Sequence, residues 1–566
     1  MMYSESTTSH EPCNMLTDIM VAKGVKHAVI SPGSRNAPLI VALARTGTVK
    51  KYVVVDERSA AFVAVGIASQ VKEPVALVCT SGSALLNYAP AVSEAFYRNL
   101  PLLIISADRP AEWIDQNDSQ TIRQPGALNN IVKGSYDIPS RYGDETAKWH
   151  INRLVNEAVI KATTGRKGPV HINIQLSEPL CGVILRKDRI SARVIDYIAP
   201  EKKLADNVLT QLAGKLFTSE KVLIAAGFCT PGNRLNEALN RLSELPNVVI
   251  LSETISNLNG ANVISAIDRT LSVMPKEERG NFSPDLLITF GGALVSRMVK
   301  QYLRTFVPGD GWHIGVSDNI IDCMQSLTAH IDIEPESFFC SMADAFDGNC
   351  TNSGYSDAWH NLAALGEVTH NKFIDGIPWC DLKAFSIILP SVPSGYNLQF
   401  SNGTPIRYSQ LFGHHNVARC DCNRGVAGID GTTSTALGAS LVSDDVTLLI
   451  TGDMSMSYDI SGLASQYNTS RFKIIVMCNG GGGIFRFIKG PSDLPELEDY
   501  FEVKRELPVS KYAETFGFDY FEAADETGLE DALGKFYNSN KASILAVLTP
   551  AERNAELLRK YFRRMK

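Results

Sequence analysis

Three series of short apolar segments, each alternating with segments of helix length, constrain the fold of this chain more than any other feature. The apolar segments read HAVISPGSR, YVVVDER, PVALVCTSGS, PLLIISADRP and VHINIQL in the first series, KVLIAAGFC, VVILSE, DLLITFGG and WHIGVS in the second, and NLQFSNG, VARCDCNRG, VTLLITGD, KIIVMCNGG and SILAVLTP in the third. Residues 60–70 and 83–98 are two of the helix-length segments. This alternation is typical of parallel sheets in which each apolar segment is a buried strand. We therefore predict an α/β protein made of three doubly wound units with mostly parallel sheets.

Polar connections between the three series predict the domain boundaries. The apolar periodicity lapses around residues 186–203 and again around residues 349–357. A chain of 566 residues also exceeds what one hydrophobic core can hold. We predict domains at residues 1–187, 200–348 and 358–566. The absence of a fixed short repeat in the sequence argues against a solenoid.

Charge and hydropathy exclude several classes of function. The formal net charge of -7 and the isoelectric point near 5.9 disfavour a nucleic-acid partner or an anionic membrane surface. The longest apolar runs, such as residues 75–79 and 474–478, are strand-sized, whereas a membrane span needs about 20 residues. The polar start MMYSESTTSHEPCN lacks the features of a secretory signal. We therefore expect a cytoplasmic enzyme of small-molecule metabolism without a membrane span.

Two strand ends in the third series carry oxygen ligands. Asp453 follows the segment VTLLITG, and Asn479 ends KIIVMCN 26 residues later. That interval accommodates one crossover helix, predicted roughly over residues 458–468, so both strand ends can meet at the same sheet edge. A carboxylate, an amide oxygen and a free backbone carbonyl suit Mg²⁺. The pair predicts a clamp for a metal ion and a diphosphate.

The four glycines at 480–483 admit two interpretations. They can form a plain mobile turn, or they can let the backbone approach a ligand closely. Each glycine costs about 0.5–1 kcal/mol of ordering free energy relative to alanine, so four in a row require a reason. The partnership with Asp453 favours the ligand interpretation.

Gly452-Asp453 followed at this offset by Asn479 resembles the signature of thiamin-diphosphate-dependent enzymes. The resemblance implies a thiamin-diphosphate-binding fold with pyrimidine-binding and diphosphate-binding domains that flank a central domain. It also implies that Asp453, Asn479 and the carbonyl of Gly481 bind Mg²⁺ or Mn²⁺, and that Gly452, Met454 and Ser455 contact the cofactor. Cys478 replaces the first of the family's two asparagines, which is not the coordinating one.

The resemblance gives Glu57 the catalytic role. In these enzymes one carboxylate lies against the aminopyrimidine ring of the cofactor, and Glu57 in YVVVDERSAAF matches that position. From the local sequence alone, Glu57 can equally be a residue that favours a helix N-terminus, worth about 0.3–1 kcal/mol. Its place in the first unit, complementary to the metal motif in the last, favours catalysis. The resemblance further implies active sites between two chains of a homodimer or homotetramer.

Further segments resemble one particular family, the 2-succinyl-5-enolpyruvyl-6-hydroxy-3-cyclohexene-1-carboxylate synthases of menaquinone biosynthesis. They are ISPGSRNAPL at 30–39, SADRP at 106–110, DSQTIRQPG at 118–126, NGTPIR at 402–407 and CNRGVAGIDG at 422–431. The three-unit layout matches over essentially the whole length. The resemblance implies decarboxylation of 2-oxoglutarate and addition of the succinyl carbanion to isochorismate, which gives the named product and CO₂.

Both substrates of that reaction carry two carboxylates, whereas the chain is acidic, so positive charge must be local. Each arginine of the candidate set, in or just after a strand-end loop, would alone be read as a surface arginine. The resemblance implies substrate binding by Ser34, Arg35, Arg109, Gln120, Arg297, Arg407, Arg424, Ile484 and Phe485. It implies cofactor binding by Glu57, Asn402, Gly403, Thr404, Ile429, Gly452, Met454 and Ser455, with Ile429 supporting the bent cofactor.

The sequence departs from the family at two of these positions. Some relatives have a serine before the PIR segment, where this chain reads Asn402-Gly403-Thr404, so a hydroxyl contact there is in question. Position 297 is arginine where lysine can occur. The middle series offers only Arg297 to the chemistry and is otherwise expected to be a spacer and an assembly surface.

Two other functions remain open. Another thiamin enzyme, such as an acetohydroxyacid synthase or a 2-oxoacid decarboxylase, acts on monoacids that would not need five arginines. A nucleotide- or flavin-binding scaffold would carry G-x-G-x-x-G after its first strand, where this chain reads SPGSRN. Neither alternative explains the oxygen ligands together with the arginines.

Overall fold

A computed structural model describes residues 5–413, 416–488 and 490–564. The first four residues of the polar start lie outside the described residues. The structure contains three six-stranded sheets whose strands all pair in parallel, and one short antiparallel ribbon. Helices alternate with the strands, which confirms the predicted α/β class with three doubly wound units.

The first sheet is built from the first series of apolar segments. Its strands and those of the ribbon are β1 (Ser6–Thr8), β2 (His27–Ile30), β3 (Lys50–Val53), β4 (Val75–Cys79), β5 (Leu102–Asp108), β6 (Ser135–Ile138), β7 (Val170–Gln175) and β8 (Val183–Leu185). The accompanying helices are α1 (Glu11–Ala22), α2 (Ala37–Ala44), α3 (Glu57–Val71), α4 (Ser83–Asn87), α5 (Ala89–Tyr97) and α6 (Glu145–Thr163). The strand order is β3-β2-β4-β5-β7-β6, and β1 pairs with β8.

The second sheet is built from the middle series. Its strands are β9 (Val222–Ala226), β10 (Val248–Ser252), β11 (Val263–Ile264), β12 (Leu286–Phe290), β13 (Asp310–Ile314) and β14 (Ala329–Ile331). The helices are α7 (Asp206–Thr218), α8 (Asn233–Ser243), α9 (Ile267–Val273), α10 (Arg297–Thr305), α11 (Pro335–Asp344) and α12 (Tyr355–Asp375). The strand order is β11-β10-β9-β12-β13-β14.

The third sheet is built from the last series. Its strands are β15 (Asn397–Phe400), β16 (Arg419–Cys422), β17 (Thr447–Gly452), β18 (Phe472–Cys478), β19 (Asp519–Ala523) and β20 (Ser543–Leu548). The helices are α13 (Asp381–Ser391), α14 (Thr404–Ser409), α15 (Thr432–Ser440), α16 (Asp453–Tyr458), α17 (Val509–Phe516), α18 (Glu526–Asn538) and α19 (Ala551–Arg564). The strand order is β16-β15-β17-β18-β20-β19.

Strand order places a ligand crevice in the first and third sheets. The order reverses between β2 and β4 in the first sheet and between β15 and β17 in the third. Ligands of doubly wound proteins bind at such reversals, outside the carboxyl ends of the strands. The loop after β2 carries Ser34 and Arg35, the loop after β15 carries residues 402–403, and Asp453 follows β17 directly. The topology therefore puts predicted site residues at both reversals.

Packing divides the chain into two compact units, which are described separately below. The first unit takes the described residues within 1–200, 425–444 and 458–468, and the second takes those within 201–424, 445–457 and 469–566. This division follows contacts rather than sheets, so the three predicted domains stay a prediction. Among the described residues, none of the helices combines the length and the apolar character needed to cross a membrane.

Two helix predictions need correction. The segment 83–98 forms two helices, α4 and α5, because Pro90 lies in the first turn of α5 and a proline ring interrupts the helix that precedes it. The predicted crossover helix over residues 458–468 is wrong: α16 ends at Tyr458, and only a single 3₁₀ turn follows. There the carboxylate of Asp459 accepts hydrogen bonds from the N–H and the hydroxyl of Ser434, which hold the chain in a turn.

Glycines allow α3 to pack closely against α15 within the first unit. A Cβ atom on Gly66 would lie 2.1 Å from the carbonyl oxygen of Thr435, and one on Gly438 would lie 2.2 Å from that of Val63. Only glycine fits at such distances, so the two helix backbones touch. The helix that begins with Glu57 is thereby held along its length.

Candidate active site

Asp453 is the centre of the predicted metal site in the second unit. Its Oδ2 atom accepts hydrogen bonds from the N–H groups of Gly480 at 2.8 Å and Gly481 at 3.2 Å. Its Oδ1 atom accepts one from the N–H of Met454 at 2.7 Å. A carboxylate offers about four lone-pair positions, so these three donors leave Oδ1 with one position for a further partner. The structure thus joins Asp453 to the glycine loop, as the sequence predicts.

The glycine loop adopts a conformation that requires glycine. Gly480 has φ +83° and Gly481 has φ +145°, and a Cβ atom on Gly481 would lie 2.6 Å from the carbonyl oxygen of Glu502. The N–H of Gly482 donates to that same oxygen, and the carbonyl of Gly480 accepts from the N–H of Arg505. These contacts hold the loop in one conformation, which argues against a plain mobile turn, while the ligand interpretation stays a prediction.

The oxygen set fits a hard divalent cation. Asn479 is 7% exposed, and its Nδ2 atom donates to the carboxylate of Asp381, which leaves Oδ1 for a ligand. The carbonyl of Gly481 accepts one hydrogen bond, from Gly483, and keeps one lone pair. Burial raises the pKa of Asp453 to about 7, opposed by its backbone donors. Carboxylate, amide and carbonyl oxygens are the ligands that Mg²⁺ prefers.

A site made of acidic, histidine and cysteine side chains alone is not an alternative. Among the described residues, no group of three or more such side chains is placed to hold a metal ion. A cation in this part of the protein would therefore depend on the amide of Asn479 and on backbone carbonyls.

The loops after β15 and β16 are joined by Asn402. Its Nδ2 atom donates to the carbonyl of Asn423 at 2.6 Å, and its Oδ1 atom accepts from Nη1 of Arg424 at 2.9 Å. Gly403 has φ +97°, and a Cβ atom there would meet only Pro405 at 3.9 Å. The backbone conformation, rather than a lack of space, therefore favours glycine at this position. Thr404 begins α14.

Cations and carboxylates gather near Arg407 in the second unit. The half-buried guanidinium of Arg407 has a lowered pKa, first because of burial and then because of the charges of Arg424 and Arg297. Asp268 and Glu253 act in the opposite direction. Arg407 lies on α14, just after the loop that follows β15, in agreement with its predicted position. The three arginines that the sequence singled out in this unit are thus close enough to affect one another.

Buried Glu253 and half-buried Asp268 hold the start of α10, where Arg297 is the first residue. Glu253 accepts hydrogen bonds from the N–H groups of Val295 and Ser296, both at 2.7 Å. The Ser296 hydroxyl donates to Asp268 and also caps the helix by accepting from Val299. The middle unit thus places Glu253 and Asp268 beside Arg297, while the expectation that it is otherwise a spacer and an assembly surface stays a prediction.

Glu57 is half-buried at the first position of α3 in the first unit. The capping hydrogen bond of this helix is made by Asp56, which accepts from the N–H of Ser59. The carboxylate of Glu57 lies near the Cys79 thiol and the Tyr88 hydroxyl, and it adds to the rise in their pKa that burial causes. The side-chain cap of this helix is thus Asp56, and Glu57 in the first turn fits both the helix N-terminus interpretation and the catalytic one.

Arg35 and Arg109, the two candidate substrate-binding arginines of the first unit, lie near each other, and both have protein partners. Arg35 donates to the carbonyl of Leu176 and lies 3.3 Å from Glu178. Burial lowers the pKa of Arg35, and the charge of Arg109 lowers it further. Arg109 forms an ion pair of 2.5 Å with Asp118. The Arg109 guanidinium thus stabilises the loop that follows it, which makes Arg109 the weaker candidate for substrate binding.

Gln120 is exposed in a loop tied to the segment after β4. Its φ of +59° is unusual for a residue other than glycine, its Nε2 atom donates to the carbonyl of Ser81, and its own carbonyl accepts from the Ser81 hydroxyl. Gln124 supports this loop by accepting from the N–H of Gly82 at 2.8 Å. Ser34 is exposed in the loop after β2. These loops flank the strand-order reversal of the first sheet.

The remaining predicted residues lie in loops or at helix starts. Ile429 is 38% exposed in the first unit, next to a loop that Gly431 packs against the ring of Phe62. In the second unit, Ile484 and Phe485 lie half-buried in a 3₁₀ turn after the glycine loop. Ser455 is buried in the first turn of α16.

Sequence reasoning missed three acidic residues of the second unit. Glu253 ends the segment VVILSE, the same pattern of a strand followed by a carboxylate that identified Asp453, so it could have been found. Asp268 and Asp381 lie at helix starts with no local motif. Their contacts could not be read from the sequence.

The middle sheet does not offer a dinucleotide crevice at its strand-order reversal. A Cβ atom on Gly227, after β9, would lie 1.9 Å from the carbonyl oxygen of Gly292, after β12. The two loops also exchange backbone hydrogen bonds, since Gly292 donates to the carbonyl of Phe228 at 2.8 Å. The nucleotide-binding alternative finds no support there.

Comparison of the sequence with known proteins identifies its family. Residues 13–127 match the family model described as "Thiamine pyrophosphate enzyme, N-terminal TPP binding domain". A 2-succinyl-5-enolpyruvyl-6-hydroxy-3-cyclohexene-1-carboxylate synthase of Porphyromonas gingivalis is 41% identical over 97% of this chain and 96% of its own length. The chain belongs to this synthase family. The synthase of Flavobacterium psychrophilum is 40% identical over 97% of this chain and 98% of its own, and that of Bacteroides thetaiotaomicron is 33% identical over 97% and 98%.

Membership in the synthase family confirms the predicted resemblance and its thiamin diphosphate cofactor. It also identifies the chain as an enzyme that acts on small molecules.

Proposed function

We propose that this synthase decarboxylates 2-oxoglutarate with thiamin diphosphate and adds the succinyl unit to isochorismate, giving 2-succinyl-5-enolpyruvyl-6-hydroxy-3-cyclohexene-1-carboxylate and CO₂. The cluster of Arg297, Arg407 and Arg424 in the second unit is the observation that best supports this class of substrates. Arg297 and Arg424 lie close enough to Arg407 to lower its pKa, and the nearby carboxylates of Asp268 and Glu253 act in the opposite direction. A site of this kind suits ligands with more than one carboxylate.

Thiamin diphosphate supplies the carbon–carbon bond chemistry when bound, and the protein supplies position and charge. Asp453, Asn479 and the carbonyl of Gly481 would hold Mg²⁺ or Mn²⁺ against the diphosphate. Gly452, Met454 and Ser455, together with residues 402–404, would line the diphosphate end of the cofactor. Their support is the oxygen set described above and the position of both loops at the strand-order reversal of the third sheet.

Glu57 is the proposed catalytic residue. Its carboxylate would hold the aminopyrimidine ring in the protonation state that activates the cofactor. Support comes from its half-buried place near Cys79 and Tyr88 and from the capping role of Asp56, which leaves Glu57 available.

The remaining proposed contacts concern the substrates. Ser34, Arg35 and Gln120 would meet a substrate carboxylate from the first unit, while Arg297, Arg407 and Arg424 would do so from the second. Arg109 would act mainly by shaping the loop that carries Gln120. Ile484 and Phe485 would line the apolar side of the pocket, and Ile429 would support the cofactor.

The proposed assembly is a homodimer or homotetramer with active sites between chains. Val53 and Val55 support it, because they are 44% and 76% exposed just before Glu57. Exposed apolar side chains of this kind mark interaction surfaces when they cluster. The cytoplasmic location stays a prediction from the sequence.

The test is turnover with both substrates, thiamin diphosphate and Mg²⁺, measured as CO₂ release and product formation. Glu57→Gln should lower turnover by about 10²–10⁴-fold, the usual range for loss of a group that controls proton transfer. Glu112→Gln is the matched control, since it removes an exposed carboxylate of the same unit. Rapid steady turnover of pyruvate alone, or of 2-oxoglutarate without isochorismate, would overturn the proposed substrates.

A further inference from the structure

A closed chain of hydrogen bonds surrounds Asp381 in the second unit. Asp381 is 1% exposed at the first position of α13, and its partners Asn479, Thr549 and Asn554 are 7%, 9% and 4% exposed. Together with Asp381, these partners come from three separate parts of the sequence, since Asp381 lies 98 residues before Asn479 and 168 before Thr549. The direction of each hydrogen bond can be derived in turn.

The series of hydrogen bonds starts at the backbone N–H of Asp381, which can only donate. The N–H of Asp381 donates to Oδ1 of Asn554 at 2.7 Å, so the Nδ2 atom of Asn554 must face the other way. That Nδ2 atom donates to Oγ1 of Thr549 at 3.3 Å. The Thr549 hydroxyl then has its own hydrogen free for another acceptor, and it donates to Oδ1 of Asp381.

The series of hydrogen bonds ends at Asn479, the proposed metal ligand. With Oδ1 occupied by Thr549, the Oδ2 atom of Asp381 accepts from Nδ2 of Asn479 at 2.9 Å. Oδ2 of Asp381 is an acceptor in this arrangement, so the flipped amide, with Oδ1 of Asn479 toward Asp381, would place two acceptors face to face. The oxygen of Asn479 is left as the one polar atom that can turn toward the Asp453 loop.

We infer that Asp381 is a positioning residue, which fixes the amide of Asn479 so that its oxygen rather than its nitrogen faces the metal ion. This inference rests on the proposed function, because it assumes that Asn479 is a metal ligand. Groups that orient a metal ligand typically change metal affinity by 10–100-fold when removed. The backbone of the same region is also held, since the N–H of Thr549 donates to the carbonyl of Cys478 at 3.1 Å.

The experiment measures Mn²⁺ affinity by electron paramagnetic resonance on the full-length protein with saturating thiamin diphosphate. Asp381→Asn should weaken Mn²⁺ binding at least about 10-fold, because an asparagine pairs with either orientation of the Asn479 amide. Asn479→Asp should weaken it too, because two carboxylates then face each other. The double variant Asp381→Asn with Asn479→Asp restores a single donor and a single acceptor, so it should regain most of the affinity.

Controls separate positioning from general damage. Asp459→Asn removes a carboxylate that is equally buried but bonded to Ser434 in the other unit, and it should leave Mn²⁺ affinity within about twofold of wild type. Thr549→Ser keeps the hydroxyl and should behave like wild type, while Thr549→Val should weaken Mn²⁺ binding. If Asp381→Asn does not fold, the comparison of Thr549→Ser with Thr549→Val tests the inference instead.

The outcomes distinguish the inference from the function on which it rests. Wild type that binds no Mn²⁺ in the presence of thiamin diphosphate would overturn the proposed metal site itself. Wild type that binds Mn²⁺, with Asp381→Asn or Thr549→Val unchanged, would overturn only the positioning role. Equal losses in Asp381→Asn and Asp459→Asn, without recovery in the double variant, would overturn it as well.

Discussion

Replacing Glu253 by glutamine should reduce thermal stability most near pH 5 and least near pH 8. The buried carboxylate accepts hydrogen bonds from the N–H groups of Val295 and Ser296, each at 2.7 Å. A glutamine side chain has one oxygen, so its NH₂ group would face one of the two donors. A buried N–H without an acceptor costs about 1–3 kcal/mol, and this cost applies at every pH.

The pH dependence comes from the proton that Glu253 itself can bind. Burial raises the pKa of Glu253 from 4.5 to about 7 in the folded protein, against the hydrogen bonds that lower it. A carboxyl with a raised folded pKa contributes stability that is fully present below about pH 4.5 and is lost as the pH rises through 7. At roughly 1.4 kcal/mol per pKa unit, the loss reaches about 3 kcal/mol. Glutamine has no such proton, so the variant avoids this loss.

The assay is thermal unfolding of wild type and Glu253→Gln across that pH range. The melting temperature of Glu253→Gln relative to wild type should rise steadily from about pH 5 to about pH 8, in step with a relative gain of about 2–3 kcal/mol, so that the variant is about as stable as wild type, or more stable, at pH 8. Asp332→Asn, which removes an exposed carboxylate paired with Lys202 in the same unit, should show no such trend. A difference that stays constant across the range would refute the reasoning, because Glu253 would then not titrate there.

Two other predictions concern the first unit. Gly66→Ala places a Cβ atom 2.1 Å from the carbonyl oxygen of Thr435 and should destabilise the protein by about 1–3 kcal/mol. The control is Gly214→Ala in α7, where no atom lies within 4 Å of the new Cβ, and it should be neutral or slightly stabilising. Equal melting temperatures of the two variants would contradict the close contact between α3 and α15. Burial lowers the pKa of His171 from 6.5 to about 4, so stability should fall as the pH drops from 6.5 toward 4, where the unfolded chain binds the proton first. His171→Gln should flatten that part of the pH–stability curve, and an unchanged slope would show that His171 does not titrate as described.

The sequence could predict the three sheets because their central strands are buried on both faces. Strands such as β4, β5 and β18 are continuous apolar runs bounded by turn residues, and that pattern is visible without tertiary contacts. The edge strands β6 and β19 were not predicted, because they mix polar residues with apolar ones and so resemble loops. The crossover helix was wrong because Asp459 makes contacts with a distant residue that local propensity cannot reveal.

The candidate site was predictable where its residues end strands. Asp453 and Asn479 end neighbouring strands of one sheet, so spacing and topology alone bring them to one edge. The supporting residues Asp381 and Asp268 act through partners far away in the sequence, and no local pattern distinguishes them from ordinary helix starts. Arg109 shows the opposite case, since its motif predicted a substrate contact but its ion pair with Asp118 gives it a local role.

The account depends most on Glu57 of one chain and Asp453 of another serving the same cofactor. Mixing two inactive variants, Glu57→Gln and Asp453→Asn, tests this directly. Because a mixed dimer would contain one site with both residues intact, random subunit exchange should restore about a quarter of wild-type turnover. Each variant alone should stay inactive. A mixture that exchanges subunits, as shown by mass, but recovers no turnover would contradict the shared site.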